Sequence, residues 1–463
     1  MNHPLTRRLA ILTLAATTLL GACSTVTPTA APPIVFVHGN GDTAALWTTT
    51  LWRFESNGWP RERLHAIDVP YPLARDDDSK AQDGRTSTAE HMQYLSAEVD
   101  KVLKATGASR VVLFANSRGG NAVRNYIANG GGAAKVSHAI LGGTPNHGVW
   151  ADIKTRPGGE FNGAGAFLTA LNTPQGPNGN EVTPGPQWMT IRSDNNDKFA
   201  QPDGVWIGSK GTPTNVTFAG PELKGAENIV IANIDHRETS FSLKAFEAAH
   251  RFITGKAPAV NVTAEASVVL NGKVSGQGLN NLQGGYVNNL PLVGAQVTVY
   301  ATNPATGERV GPALVNKTIA ADGLWGPMKT SPTATHEFVI SMPGYAATPG
   351  YAITHYYRSA FARSSDIVNL RAERLADADK DAKAVLTLTR PRGYFGVPRD
   401  NISLDGKGPP AGIPTGVAGV AVAKLKLMED GARTVVGEFN GERIVGRSWP
   451  AANNEVVFLE IQY

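Results

Sequence analysis

The run Val111-Val112-Leu113-Phe114-Ala115-Asn116-Ser117-Arg118-Gly119-Gly120-Asn121 holds the residue best placed for nucleophilic chemistry. Its apolar start reads as a buried strand. A helix follows, with Val123, Tyr126 and Ile127 on one face, and ends at the glycines 130–132. The chain must turn sharply between the two, and the small residues Ala115 and Gly119, two before and two after the serine, allow it. A serine on such a turn lifts its hydroxyl above the sheet. That hydroxyl is a weak nucleophile alone; it needs a base, a carboxylate to orient the base, and donors for a developing oxyanion. His236 lies in a loop just before a helix that starts near Ser240 to Ser242, whereas His250 lies inside that helix among Phe246, Ala249 and Phe252 and reads as packed or superficial. The carboxylates Asp194, Asp197 and Asp203 follow a strand-like run, Trp188 to Arg192. His38, at the end of Ile34-Val35-Phe36-Val37, reads as structural, its imidazole hydrogen-bonding loop backbone.

The elements that position these residues repeat one pattern. Apolar runs at 34–37, 111–114, 138–142, 188–192 and 228–232 alternate with helical segments, as an α/β fold with a mostly parallel sheet and helices on both faces requires. One helix is predicted over Thr88 to Thr106, where Met92, Leu95, Val99, Val102 and Leu103 recur at helical spacing before Gly107. From about Ala257 strand-like alternation replaces helix, as in Val293, Ala295, Val297 and Val299, and turn signals such as Asp322-Gly323 and Pro343-Gly344 recur. The charged stretch 372–383 divides this tail. The expected organisation is a catalytic domain at 34–256, a sandwich-like β domain at 257–375 and a second β-rich unit at 385–463.

Together these residues resemble the α/β-hydrolase superfamily, specifically bacterial and archaeal lipases with a β-rich C-terminal domain. Ala115-Asn116-Ser117-Arg118-Gly119 matches the nucleophile elbow G-x-S-x-G with alanine first, and His38-Gly39 matches the dipeptide at the family's oxyanion loop. The resemblance implies carboxylic-ester hydrolysis through an acyl-enzyme, without cofactor or metal, and the order serine, acid, histidine. Asp197, followed by Phe199 and then Pro202, is similar to the acid-bearing loop of lipases; Asp194 is the alternative, and Asp203 reads as a turn former. His236 takes the general-base role. The backbone N–H groups of Asn40 and Arg118 are the implied oxyanion donors. Gly142-Gly143-Thr144-Pro145-Asn146-His147-Gly148 is similar to a substrate-side loop, so His147 is expected to bind substrate, as is Trp47. The long excursion 151–186 is expected to form a lid. Two departures stand out: Asn116 replaces the histidine common before the nucleophile, and a charged Arg118 follows it. The tail resembles prealbumin-like or carboxypeptidase-regulatory-like sandwiches.

The N-terminus carries an address. Arg7-Arg8 precedes an apolar run, Leu9 to Leu20, too short for a spanning helix, and residues 1–22 read as a signal peptide. Leu20-Gly21-Ala22-Cys23 resembles a bacterial lipobox, which makes Cys23 a lipidation site and 23–33 a tether. Two acyl chains there would hold the protein on a membrane. The expected location is therefore the cell envelope, by resemblance of Ser24 the outer membrane, or the secreted fraction if Cys23 is incidental. Losing both arginines lowers the net charge from +4 to +2, and no basic stripe suggests nucleic acid. The single cysteine excludes a disulfide framework. The expected partner is an ester, lipid or polyester; lactones or amides on the same residues, and a non-catalytic surface lipoprotein, are the alternatives.

Overall fold

The computed structural model describes residue 1 and residues 31–175, 178–276, 288–343 and 351–463. Cys23 and nearly all of the expected leader lie outside the described residues. Residues 32–463 form one compact unit.

Its first half is built on six parallel strands: β1 (Ile34–Val37), β2 (Leu64–Ile67), β3 (Val111–Asn116), β4 (Val136–Gly142), β5 (Gln187–Ser193) and β6 (Glu227–Ile231). They are ordered β2-β1-β3-β4-β5-β6. The strand period of two explains the two-sided burial. Val35, Val37, Leu113 and Ala115 enter one core with Leu95, Val99 and Val102 of helix α2 (Thr88–Thr106) and with Val123 and Tyr126 of α3 (Arg118–Asn129). Phe36 and Phe114 face the other way, against Trp47, and Phe36 also meets Phe54 of α1 (Thr48–Ser56). Helix α2 starts and stops where its sequence dictates. Ser87 and Glu90 form a capping box, and Gly107 closes the helix at φ 66°. The runs anticipated as strands occur as β1, β3, β4, β5 and β6. Strand β2, Leu-His-Ala-Ile, lacks the apolar continuity that marks the others.

The β-rich half holds a seven-stranded sheet. In chain order its strands are β7 (Gln296–Thr302), β8 (Arg309–Thr318), β9 (Thr335–Pro343), β10 (Tyr351–Arg358), β11 (Ala384–Thr389), β12 (Val422–Leu427) and β13 (Glu455–Glu460). The spatial order is β8-β7-β9-β10-β13-β11-β12, with the C-terminal β13 inserted parallel to both β10 and β11. Strands from 385–463 thus continue the sheet begun by the preceding segment, while packing a core of their own. Val297, Val299, Trp325 and Phe338 centre one core, and Leu386, Phe395, Val435 and Leu459 the other. The first core also receives Trp52 from α1, whose indole N–H donates to the Ser364 carbonyl at 3.0 Å.

Candidate active site

The turn from β3 into α3 is as tight as the small residues require. Ser117 stands between them at φ 52°, ψ −122°, a left-handed region that costs a non-glycine residue about 1–3 kcal/mol. The close approach of β1 explains the glycines. A Cβ on Gly119 would lie 2.6 Å from the Val37 carbonyl oxygen, and one on Gly39 would lie 3.1 Å from the Ser117 Cβ. Arg118 is the first residue of α3, so its N–H is among those with no partner inside the helix. Asn40 lines the same cavity as Ser117, and its side-chain oxygen accepts from Ala74 N–H at 2.7 Å.

Asp197 and His236 come from the loops after β5 and β6. His236 Nδ1 donates to Asp197 Oδ2 at 2.8 Å, and Asp197 Oδ1 accepts the Phe199 N–H at 2.8 Å. The Phe199 ring meets the imidazole edge to face at 4.7 Å. His236 is 4% exposed, and its Nε2 is buried without a hydrogen-bond partner. Asp194 serves a different purpose. Its carboxylate accepts from Asn196 and from Asn233 N–H, tying the two loops together beside the site.

Asn116, in place of the family's usual histidine, is buried. Its Nδ2 donates to the carbonyls of Gly142 and His236, each at 3.3 Å, and so joins the elbow to the histidine loop. The other departure, Arg118, brings no charge to the cavity wall. Its guanidinium is fully buried, pairs with Glu160 at 2.8 Å and donates to the Pro72 and Thr86 carbonyls. Burial raises the Glu160 carboxyl above its usual range, with the Arg118 charge opposing it. His38 is structural, with Nδ1 on the Gly39 carbonyl at 2.9 Å and Nε2 accepting from Val69 N–H at 3.1 Å. Burial lowers its pKa.

Ser117 and His236 open on one cavity of about 270 Å³. Aromatic rings of Trp150, Phe161, Phe199, Trp206 and Tyr394 share its wall with Arg75, Arg85, Arg156 and Arg237. Arg156, Gly159, Glu160 and Phe161 of the excursion after β4 contribute to this wall, and the same excursion is tied to α3 where Arg124 donates to the Leu171 carbonyl at 3.0 Å. One expected substrate contact is corrected. Trp47 is absent from this wall: it is fully buried, with ring centroids 5.1 Å from Phe36 and 4.9 Å from Phe114, because a large indole beside two phenylalanines gains more by joining the core. His147 lies in a neighbouring cavity, which shares Val149, Phe199 and His236 with the first. There Glu181 holds its Nε2, at 3.2 Å from each carboxylate oxygen.

Arg390, Tyr394 and Arg399, from beyond β11, also reach the site and were not anticipated. Tyr394 lines the Ser117 cavity. Arg390 and Arg399 pair with the carboxylates on either side of His236. The two acids that bracket His236-Arg237 in Asp235-His236-Arg237-Glu238 are visible in the sequence, but partners more than 150 residues away carry no local signal.

A parallel sheet with a serine elbow at the end of β3 defines an α/β-hydrolase. Residues 31–165 match the family Lipase (class 2), and residues 266–375 match the Lipase C-terminal domain. These two segments are thus similar to a lipase and to a lipase C-terminal domain, which supports a carboxylic-ester hydrolase. Among solved structures, the mature Bacillus licheniformis lipase BlEst2 is 20% identical, over 48% of this chain and 90% of its own, at a TM-score of 0.31. Its propeptide form is 14% identical over 71% and 93%, at 0.34. A Bacillus subtilis carboxylesterase, CesB, is 12% identical over 50% and 86%, at 0.28.

Proposed function

We propose that Ser117, His236 and Asp197 act as nucleophile, general base and orienting acid in ester hydrolysis through an acyl-enzyme. The observation that carries this reading is the 2.8 Å bond between His236 Nδ1 and Asp197, which leaves Nε2 unpartnered beside the cavity that holds Ser117. His236 Nε2 takes the Ser117 proton as Oγ attacks the ester carbonyl. The N–H groups of Asn40 and Arg118 receive the negative oxygen, and the imidazolium returns the proton to the leaving alcohol. Water then attacks the acyl-enzyme with His236 again as base. Asp197 holds the tautomer that presents Nε2 as acceptor, and stabilises the imidazolium.

The excursion 151–186 acts as a lid, a role supported by Gly159, Glu160 and Phe161 in the cavity wall. A wall that alternates aromatic rings with arginines suits a short or polar acyl group better than a long alkyl chain. Cys23 carries the lipid anchor and places the enzyme in the cell envelope.

Ser117→Ala should abolish hydrolysis of p-nitrophenyl esters, and a fluorophosphonate should label wild type and not the variant. Full activity in Ser117→Ala would refute the triad. An acyl series from acetate to palmitate should show rates falling beyond medium chains; a rise toward palmitate would refute the acyl-length reading. Matched ester, lactone and anilide substrates separate the ester reading from its lactonase and amidase alternatives. Globomycin-sensitive processing, lost in Cys23→Ser, tests the anchor.

A further inference from the structure

We propose that Arg390 and Arg399 are positioning residues for His236, so that a segment outside the hydrolase domain sets the geometry of the base. The proposal rests on the triad reading above.

The loop after β6 sets two acids around the histidine, in the order Asp235-His236-Arg237-Glu238. Asp235 is fully buried. Its Oδ1 accepts the N–H groups of Arg237 and Glu238, at 2.8 and 3.0 Å, while Glu238 Oε2 accepts the Asp235 N–H at 2.6 Å. These bonds shape the loop, and they bring two carboxylates together in a low-dielectric setting, where they repel unless cations intervene. The loop's own arginine is engaged elsewhere: Arg237 pairs with Asp42 at 2.9 Å and lies over the Tyr394 ring. The cations come instead from the C-terminal segment. Arg390 bridges the two acids, Nη1 to Asp235 Oδ2 at 2.6 Å and Nη2 to Glu238 Oε1 at 2.5 Å. Arg399 reaches Glu238 Oε2 at 2.8 Å and is itself held by Asp400 at 2.8 Å. Tyr394 N–H adds a bond to Asp235 Oδ2 at 2.8 Å.

The same segment also grips the acid loop. Ala418 forms a β-bridge with Asp197, and Lys198 Nζ donates to the Gly419 carbonyl at 2.9 Å. Both partners of the His236–Asp197 bond are therefore positioned from one stretch, 390–419. The charged and titratable groups around His236 are Asp194, Asp197 and Lys198 on the acid loop, Asp235, Arg237 and Glu238 on its own, Asp42 on the oxyanion side, Arg75, Asp76, Arg85, Arg156 and Glu160 across the cavity, and Arg390, Tyr394 and Arg399 on the C-terminal segment. Removing a cation from this set favours the imidazolium, which cannot accept the serine proton.

The test uses the full chain and a soluble p-nitrophenyl ester, with Ser117→Ala as blank. Arg399→Gln should lower kcat tenfold or more with KM within twofold, and move the acid limb of the kcat/KM profile to higher pH. Arg399→Lys should recover most of the rate, and Arg399→Gln combined with Glu238→Gln should return the limb toward wild type. Arg390→Lys, at the more buried cation, should shift the limb in the same direction. Wild-type kcat and an unmoved limb in Arg399→Gln, with only the melting temperature lowered, would overturn the proposal and leave a purely structural contact. If Ser117→Ala hydrolyses as fast as wild type, the triad reading falls and this inference falls with it. If Ser117→Ala is inactive and Arg399→Gln is unaffected, only this inference falls.

Discussion

The two cores of the β-rich half meet the hydrolase fold at different places. The first, centred on Trp325 and Phe338, engages the outside of the α/β layer: Trp52 of α1 enters it, and Arg363 pairs with Glu55 of the same helix at 2.7 Å. The second, centred on Phe395 and Leu459, sends Arg390, Tyr394 and Arg399 to the loop of His236. The first contact sets the buried Trp52 indole among ion pairs, Arg363–Glu55, Arg61–Glu265 and Lys273–Asp68, none of which lines the Ser117 cavity. The second is a set of buried ion pairs, whose energy depends steeply on geometry. Segment 266–375 matches a lipase C-terminal domain, yet the residues nearest the chemistry lie after it. Contribution to stability and contribution to the site are therefore separable along the chain.

The largest expected effects test that separation directly. Trp52→Ala removes a buried indole from the first core and should cost about 3–5 kcal/mol. Arg390→Met leaves Asp235 and Glu238 buried without their bridge and should cost a similar 3–5 kcal/mol. Thermal melts should show comparable losses. Turnover at a temperature where both remain folded should not: Trp52→Ala should keep kcat within about twofold, whereas Arg390→Met should lose most of it. Equal activity losses would erase the distinction between the cores.

A finer comparison uses two glycines whose missing side chains make room for aromatic rings. A Cβ on Gly419 would lie 2.0 Å from Trp206, and one on Gly446 would lie 2.6 Å from Tyr357. Overpacking of this kind costs about 1–3 kcal/mol. Gly419 sits where the C-terminal segment holds the acid loop through Lys198, and Gly446 packs beside Tyr357 and Leu459 of the second core. Gly419→Ala should lower kcat severalfold, and Gly446→Ala should lower the melting temperature alone. Asn116→Ala should act more mildly: it removes hydrogen bonds worth about 1 kcal/mol each and should slow turnover a few-fold without unfolding the protein.

What the sequence revealed follows the range of the forces involved. The parallel sheet was legible because β1, β3 and β4 are continuous apolar runs, and α2 because its apolar period and Gly107 stop agree. Ser117 was legible because a strained turn demands small neighbours within two residues. Asp197 is marked by the resemblance of its loop to a lipase acid loop and His236 by its place before a helix; the structure places their side chains 2.8 Å apart. Trp47 misled because a tryptophan near a site and one in a core look alike until the facing residues, Phe36 and Phe114, are known. The burial of Arg118 was not legible, since its partner Glu160 lies 42 positions away in a glycine-rich excursion. The clamp on His236 joins positions 235 and 390, and nothing local in either segment encodes it.

The smallest expected effect concerns Lys198, where the acid loop and the C-terminal segment touch. Its ammonium lies 3.9 Å from the centroid of the Tyr394 ring and 4.9 Å from that of Phe199. Burial, helped by the nearby Arg237 charge, lowers its pKa to about 8. Above that pH the cation–π contacts, worth about 0.5–2 kcal/mol, fade and the acid loop loses one of its ties. Activity should then fall by about twofold. Stability should respond in the other direction. The folded chain releases this proton near pH 8, whereas the unfolded chain holds it to near the usual 10.5, so between those values the unfolded state binds more protons and this group's contribution favours folding increasingly as pH rises. Lys198→Met should remove both the basic limb in kcat and the matching slope in stability. A wild-type basic limb that persists in Lys198→Met would assign it to another group and detach Lys198 from the link between the acid loop and the second core.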